Sequence, residues 1–212
     1  MQLIDLTHLI KSEMPLFPGS PPPEIRQVTS VAREGYRVST ISMNYHIGTH
    51  IDAPAHMLEE GATLAEMAID HFHGRAVVVD VTGCRAQIAL QDIEKKAEAI
   101  AQAEYLLLKT GWSRHWGSEA YYGDFPCLTV EAAQWLTRFS LKGVGIDAIS
   151  IDAIDSKTYP IHHILLGAGL LVVENLTRLD AIPAEECQFF ALPLRIEGAD
   201  GSPVRATAGI EE

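Results

Sequence analysis

The sequence predicts a mixed α/β fold with a largely β core, organised as one domain over residues 1–212. The length of 212 residues and a hydrophobic fraction of 47% suit one α/β domain. Apolar, β-branched segments alternate with helical segments, but several strands lack an intervening helix. A chain of this length buries about 70% of the surface that its unfolded form exposes, so disulfide bonds are not needed.

The first part of the chain is predicted to be mostly extended. Residues 3–7 form a short opening strand, whereas residues 14–23 contain five prolines and Gly19 and form an irregular loop or lid. Residues 37–43 alternate polar and apolar side chains, which predicts a strand. Residues 63–66 carry a capping-box pattern that predicts the start of a helix.

The remaining segments alternate more regularly. The β-branched content of residues 76–81 predicts a buried strand. An amphipathic helix is expected at 90–102, and a helix capped by Thr129 at 129–139. Pro160 is expected near the start of a helix at 160–166, which Gly167 and Gly169 end. The other predicted strands lie at 105–109, 144–147, 170–174 and 189–196.

The composition argues against several classes of partner. A net charge of −12 argues against nucleic acid, and no apolar run approaches the roughly 20 residues of a membrane span. The N-terminal residues lack the features of a secretory signal. Cys84, Cys127 and Cys187 are widely separated and form no CxxC pair, which indicates a reducing compartment. We therefore expect a cytoplasmic protein.

The most informative segment is 46–56, which contains His46, His50, Asp52 and His56. Imidazole nitrogen and carboxylate oxygen suit a divalent ion such as zinc or manganese. Gly48 and Pro54, in the same segment, argue against a regular helix. In an extended chain His50 and Asp52 point the same way, so the segment can bring several ligands to one ion.

A second contribution to the metal site is expected from later in the chain. The candidates are Asp147, Asp152, Asp155, His162, His163 and Glu174. Glu174 ends an apolar strand, where a carboxylate is costly unless it is paired or bound to metal. His162 lies in the short helix just before that strand, with His163 as the rival ligand.

These motifs resemble those of the cyclase-like metal-dependent hydrolases, whose best-known member is bacterial kynurenine formamidase. The first motif is His46-x-Gly48-Thr49-His50-x-Asp52-x-Pro54-x-His56. A second, Tyr159-Pro160-Ile161-His162-His163 with Val173-Glu174-Asn175-Leu176, is also similar. So are 191–194 and the tail Gly201-Ser202-Pro203-Val204-Arg205-Ala206. The likeness covers essentially the whole chain.

The resemblance implies a set of roles. His46, His50 and Asp52 would bind one metal ion, while Asp52 and Glu174 would bridge to a second that His162 completes. His56 would be the catalytic acid/base. The resemblance also implies a swivelling β/β/α type of fold. It implies zinc, one or two ions per subunit, or a single manganese ion. It further implies that the protein forms a homodimer or homotetramer and that its substrate is a small amide.

The proline-rich loop departs from the family pattern. Phe17 stands where true kynurenine formamidases carry a tryptophan that stacks on the aromatic substrate, and Ser20 replaces the usual aspartate. An aromatic face is retained with less area and no indole N–H donor. Core packing and substrate stacking are both open for Phe17.

The leading functional hypothesis is a hydrolase that cleaves an amide C–N bond with metal-activated water. Its most specific form is an arylformamidase that converts N-formyl-L-kynurenine to kynurenine and formate. Hydrolysis of a cyclic, isatin-like amide is the alternative, and a metal-binding protein without catalysis is a hypothesis of another class. A serine hydrolase is disfavoured because the Gly-x-Ser-x-Gly elbow is missing.

Overall fold

A nine-stranded mixed sheet organises the protein, in a computed structural model that describes residues 1–210. The strands, in chain order, are β1 Gln2–Asp5, β2 Glu24–Gln27, β3 Ser39–Ser42, β4 His50–Asp52, β5 His73–Asp80, β6 Gln87–Ile88, β7 Tyr105–Lys109, β8 Cys127–Leu128, β9 Gly143–Ile146, β10 Leu171–Glu174, β11 Glu186–Phe190, β12 Gly201–Pro203 and β13 Thr207–Ile210. The large sheet has the order β1-β13-β11-β5-β7-β9-β10-β4-β12. The prediction of a mixed α/β fold with a largely β core is confirmed. The expected domain ends at residue 212, and residues 211 and 212 lie outside the described part.

Helices are few and short. They are α1 Val31–Glu34, α2 Leu90–Ile93, α3 Ala97–Gln102, α4 Val130–Leu136 and α5 Pro160–Gly167. Thr129 caps α4 as predicted, since its side chain accepts a hydrogen bond from Ala132 N. Within residues 1–210, no helix combines the length and apolar character needed to cross a bilayer.

The centre of the sheet is parallel and is covered on both faces. Strands β5, β7, β9 and β10 run parallel to one another. One face packs with the helices in a large apolar cluster, and the other packs against the chain's N- and C-terminal segments in a second cluster. Strands buried on both faces need apolar side chains at successive positions, which explains the continuous apolar runs in β7 and β10.

Three predicted elements differ from the structure. Thr63 and Glu66 do make the capping contacts, with Thr63 N and Oγ1 donating to Glu66 Oε2 at 2.9 and 2.8 Å. No α-helix follows them, only turns and a 3₁₀ turn at Ile69–Phe72, because the chain bends to bury Leu64 and Phe72 in the second cluster. The helix expected at 90–102 is divided into α2, a 3₁₀ turn and α3, since the backbone leaves the helical region at Lys96.

The last predicted strand, at 189–196, lies earlier in the chain. It is β11, Glu186–Phe190, and it ends before Pro193, which has no N–H to donate to a neighbouring strand. The backbone N–H of Ala191 instead donates to Phe72 O at 2.9 Å. Residues 191–196 therefore form a loop rather than the end of a strand.

Two glycines let the central strands approach one another closely. A Cβ on Gly145 would lie 2.7 Å from Leu176 Cδ1 and 2.8 Å from Leu107 Cδ2. A Cβ on Gly143 would lie 2.7 Å from Leu171 O. The Gly143-Val144-Gly145-Ile146 sequence is therefore explained by packing in the core.

We expect Gly145→Ala to lower the free energy of unfolding by about 1–3 kcal/mol, because the added methyl overpacks the core. Chemical denaturation of purified protein measures this. The matched control is Gly167→Ala, since a Cβ at Gly167 meets no atom within 4 Å. An unchanged midpoint for Gly145→Ala would contradict the close packing.

Candidate metal centre and active site

The pairing of β4 with β10 brings the two motifs together. The strands are antiparallel, with His50 opposite Glu174 and Asp52 opposite Val172. Residues two apart in a strand share a face, so His50, Asp52 and Glu174 project from the same side of the sheet. Thr49 Oγ1 also donates to Asn175 O at 2.6 Å, which ties the two strands together beside the site.

The His-rich segment begins shortly after the strand that precedes it in the chain. Strand β3 belongs to a separate two-stranded sheet and ends at Ser42. His46 lies in the loop between the two sheets, whereas His50 and Asp52 belong to β4. His56 ends a 3₁₀ turn formed by Pro54–His56.

Four side chains form the buried part of the cluster. His50 Nε2 lies 3.3 Å from Asp52 Oδ1 and 3.5 Å from Glu174 Oε2. His162 Nε2 lies 3.1 Å from Glu174 Oε1 and 3.8 Å from Asp52 Oδ2. All four residues are at most 5% exposed, so their charges face one another with little water between them.

Asp152 fixes the orientation of His162. Its carboxylate accepts hydrogen bonds from the backbone N–H groups of Ile161 and His162, both at 3.0 Å, and lies 2.7 Å from His162 Nδ1. The other ring nitrogen therefore faces Glu174. His163, the rival candidate, is exposed, whereas His162 is buried beside Glu174.

Neither Asp147 nor Asp155 joins the cluster. Asp147 is buried and accepts hydrogen bonds from Thr110 N and Oγ1 and from Gly111 N, at 2.6–2.9 Å. Its role is to hold the turn after β7. Asp155 lies in an exposed turn.

Three partly buried residues, His46, His56 and Asp200, extend the cluster toward solvent. His46 Nδ1 lies 2.7 Å from Asp52 Oδ1, and His46 Nε2 lies 2.9 Å from Asp200 Oδ2. The rings of His46 and His56 stack with centroids 3.8 Å apart. His56 Nδ1 lies 3.3 Å from the same Asp200 oxygen. One carboxylate thus contacts both imidazoles.

Asp200 is the site residue that sequence reasoning missed. It directly precedes β12, which pairs with β4 so that Gly201 lies opposite Asp52. A Cβ at Gly201 would lie 2.5 Å from the His46 ring. The available signal was an acidic residue next to the Gly201-Ser202-Pro203 motif, but a contact with a residue 154 positions away could not be deduced from local sequence.

Carboxylates set the protonation of the histidines. Burial lowers the pKa of His46, but the hydrogen bonds and charges of Asp52 and Asp200 outweigh it and raise the pKa to about 9. Burial also lowers the pKa of His162, and Asp152, Glu174 and Asp52 raise it to about 10. The pKa of Asp52 falls well below its ordinary value, because the nearby His50 and His46 overcome the effect of burial.

His56 differs from these neighbours. Burial lowers its pKa, and the charge of Asp52 and hydrogen bonding to Asp200 only partly oppose that change. It is therefore mainly neutral near pH 7 and can accept a proton.

The donor set fits a divalent metal ion. Ligand atoms of His50, Asp52 and Glu174 lie within 4.8 Å of one another, as do those of His46, Asp52 and His56. Asp52 belongs to both groups. Its Oδ2 atom is buried without a hydrogen-bond partner, which is unusual for a carboxylate oxygen and expected for one that ligates a cation. Nitrogen and oxygen donors of this kind suit zinc or manganese.

A pocket of about 330 Å³ opens onto the cluster. The proline-rich loop forms one wall with Pro15, Leu16, Phe17 and Ser20, while Met57, Ile149 and Tyr159 form other parts. Tyr122 holds this loop, since its hydroxyl accepts a hydrogen bond from Leu16 N at 3.1 Å. Phe17 also packs against the first apolar cluster, so both alternatives for this residue are compatible with its position.

A larger groove of about 770 Å³ lies elsewhere, beside β5 and residues 179–185. Two of its lysines, Lys96 and Lys109, are paired with Glu185 and Asp80. The metal-ligand clusters of residues 1–210 lie at the smaller pocket. We therefore place the candidate active site there.

The sequence is similar to a protein family and to individual proteins of known name. The family model described as "Putative cyclase" matches residues 4–153. Kynurenine formamidase of Bacillus thuringiensis (strain Al Hakam) is 31% identical over 204 residues, which cover 96% of this chain and 95% of the relative.

Solved structures show the same likeness. Isatin hydrolase A from Labrenzia aggregata, bound to benzyl benzoate, has a TM-score of 0.90 and 27% identity, covering 100% of this chain and 94% of that one. A predicted metal-dependent hydrolase from Bacillus stearothermophilus has a TM-score of 0.82 and 30% identity, covering 98% and 97% of the two chains. The likeness thus extends over the whole sheet and both motifs. The chain belongs to the cyclase family of metal-dependent hydrolases.

Proposed function

We propose that the protein is a metal-dependent hydrolase of an amide C–N bond. The observation that carries this proposal is the meeting of Asp52 and Glu174 with three histidines at the base of a pocket. The expectation of an amide-hydrolysing enzyme is confirmed as a reaction class by relatives named kynurenine formamidase and by isatin hydrolase structures.

The metal ligands that we propose are those of the sequence analysis. His46, His50 and Asp52 would hold one ion, and Asp52, Glu174 and His162 would hold a second. The unpartnered Oδ2 of Asp52 supports a ligand role for this residue. Zinc, as one or two ions per subunit, is proposed as the cofactor, with manganese as the other candidate. A bound divalent ion supplies Lewis acidity, which activates water and polarises a carbonyl.

His56 is proposed as the proton-transfer group. Asp200 lies at its Nδ1, so Nε2 is left to take the proton of the attacking water and return it to the departing nitrogen. Its lowered pKa supports this role, because a neutral imidazole must accept the proton first. Water adds to the carbonyl carbon, the C–N bond breaks, and the products are a carboxylic acid and an amine.

The pocket supports an aromatic or other small amide as substrate. Its apolar wall includes Phe17 and Met57, and its volume suits a small aromatic molecule. The most specific proposal is an arylformamidase that converts N-formyl-L-kynurenine to kynurenine and formate, on the strength of the formamidase relatives. Hydrolysis of a cyclic amide is the second candidate, which the TM-score of 0.90 with an isatin hydrolase favours.

The cellular location, the binding partners and the oligomeric state of the protein are also proposed. Three free cysteines agree with a cytoplasmic location, and the net charge of −12 opposes nucleic-acid binding. A homodimer or homotetramer is proposed from the family resemblance.

Asp52→Asn and Glu174→Gln are expected to weaken zinc binding by at least about 10- to 100-fold, because each removes an anionic ligand with little change in shape. Titration calorimetry and metal analysis after dialysis measure the effect. Asp147→Asn is the matched control, since it alters a buried carboxylate outside the cluster. Full metal content in Glu174→Gln would contradict the two-segment site.

His56→Ala is expected to lower turnover by about 10²–10⁴-fold, the usual contribution of general acid–base catalysis, while metal content stays near that of the wild type. His71→Ala, which alters an exposed histidine outside the pocket, should keep its activity. Loss of metal with an unchanged rate per bound ion would show that His56 is a ligand instead.

We expect cleavage of aryl formamides that EDTA abolishes and that added zinc or manganese restores. Purified enzyme should be assayed with N-formylkynurenine, simple aryl formamides and isatin-like cyclic amides. Bound metal without turnover of any amide would favour a structural ion. Turnover that chelators do not affect would contradict the metal dependence.

A further inference from the structure

Asn175 directly follows Glu174 at the end of β10 and lines the active-site pocket. It is only 4% exposed, yet its backbone adopts the left-handed conformation, with a φ of 56°. Apart from glycine, asparagine and aspartate are the residues that tolerate this region best. A backbone conformation that is unfavourable for most side chains therefore lies directly beside the cluster of ionisable groups.

Hydrogen bonds hold the peptide groups on both sides of Asn175. Its backbone N–H donates to Ala148 O at 2.9 Å, and its carbonyl oxygen accepts a hydrogen bond from Thr49 Oγ1 at 2.6 Å. The strand that precedes it, β10, is paired on both edges, with β9 and with β4. The direction in which the Asn175 side chain leaves the backbone is therefore fixed by the sheet.

A buried tyrosine orients the side-chain amide of Asn175. The hydroxyl of Tyr121 donates to Asn175 Oδ1 at 2.7 Å. Tyr121 is fully buried, and the ring of Trp116 packs edge-on against it with centroids 5.1 Å apart. Burial raises the pKa of this phenol, so the hydroxyl keeps its proton. Within residues 1–210 that proton has Asn175 Oδ1 as its acceptor, and a reversed amide would leave a buried O–H unpaired.

The nitrogen of the same amide is left free to bind a ligand. Asn175 Nδ2 donates to no protein atom within residues 1–210, and it is not one of the fully enclosed atoms that lack a partner there. Because Asn175 lines the pocket, its N–H groups can be reached from the pocket. A donor that the protein holds in place, with no acceptor of its own, is available to an acceptor oxygen of the substrate.

We propose that Asn175 Nδ2 donates a hydrogen bond to the carbonyl oxygen of the substrate as that oxygen becomes negatively charged, an inference that rests on the proposed amide hydrolysis. When water adds to the carbonyl carbon, the C=O electron pair moves onto the oxygen. When the pair returns, the C–N bond breaks and His56 gives a proton to the departing nitrogen. A donor that is already oriented stabilises this charge without rearranging during the reaction. Tyr121 is a positioning residue, since it acts through the amide of Asn175.

The experiment compares Asn175→Gly with the wild type in steady-state hydrolysis of formanilide, a simple aryl formamide. Glycine adopts a positive φ without strain, so this variant removes the amide and leaves the backbone as it is. We expect kcat to fall about 10²–10³-fold, the usual effect of losing one oxyanion donor. KM should stay within about threefold of the wild-type value, because the bond acts in the transition state. Zinc content should not change.

Tyr121→Phe tests the orientation of the amide separately. It keeps the ring and removes the hydroxyl, so kcat should fall about 10-fold, the effect of one hydrogen bond, again without a matching rise in KM. One control is Arg178→Gly, which also removes a side chain at a positive φ, here 55°. The other is Tyr105→Phe, which removes the hydroxyl of a buried tyrosine that donates to His71 O. Both controls should keep the wild-type kcat.

Binding of a transition-state mimic gives a readout that does not depend on turnover. Trifluoroacetophenone adds water to form a tetrahedral diol, which places an oxygen where the charged oxygen of the reacting amide would lie. Its affinity for the zinc-loaded protein can be measured by titration calorimetry. We expect Asn175→Gly to bind it at least about 10-fold more weakly than the wild type, since interactions with the transition state are tighter than those with the substrate.

Several results would overturn the role of Asn175 and leave the proposed hydrolysis intact. They are an unchanged kcat in Asn175→Gly, a loss confined to KM, a loss of zinc with a full rate per bound ion, and unweakened binding of the ketone. Should Asn175→Gly fail to fold, Tyr121→Phe decides, and an unchanged kcat there has the same consequence. A wild type that cleaves no amide would instead refute the proposed function, and the role of Asn175 with it.

Discussion

The candidate site depends on the antiparallel pairing of β4 with β10. This pairing sets His50 opposite Glu174 and brings a motif near residue 50 to one near residue 170. A slip of β4 by one residue would turn His50 and Asp52 to the other face of the sheet, away from Glu174. Ile51 and Val173 prevent such a slip, because both are fully buried in the second apolar cluster. Hydrophobic packing on one face thus fixes the polar geometry on the other.

Burying so many ionisable groups in a small volume is unfavourable unless each has a partner. Asp152 is compensated by two backbone N–H groups and His162, and Glu174 accepts a hydrogen bond from Ile151 N at 2.7 Å. Asp52 differs, since one of its oxygens has no such partner. The surrounding protein therefore holds the outer carboxylates in place, while one oxygen of the central carboxylate stays without a hydrogen-bond partner.

Local sequence patterns correctly predicted those strands and helices that are determined by neighbouring residues in the chain. The strand at Tyr105–Lys109, the Thr129 cap and the helix that starts at Pro160 all follow from side-chain type and spacing. The His-rich motif and Glu174 could also be identified, because packing alone rarely places ligand-type side chains so close together or at the end of an apolar strand. Thr63–Glu66 shows the limit of local patterns, since its capping contacts form while burial of Leu64 decides the path of the chain.

Contacts between distant strands were beyond the reach of the sequence. The order of the sheet, the pairing of β12 with β4 and the position of Asp200 beside His46 and His56 arise from tertiary packing. The isolation of residues 24–42 is of the same kind, because their alternating pattern resembles that of any half-buried strand. His163 could not be separated from His162 until the orientation of α5 was known.

The proline-rich loop supplies one wall of the pocket, while the ionisable cluster comes from other segments. Under the proposed function, part of substrate recognition and the reactive groups are therefore encoded in different stretches of the gene. Substitutions between residues 14 and 23 would then change which molecule is accepted without altering the groups that cleave it. Such separation allows a lineage to acquire new substrates in few steps, with the reactive chemistry inherited intact.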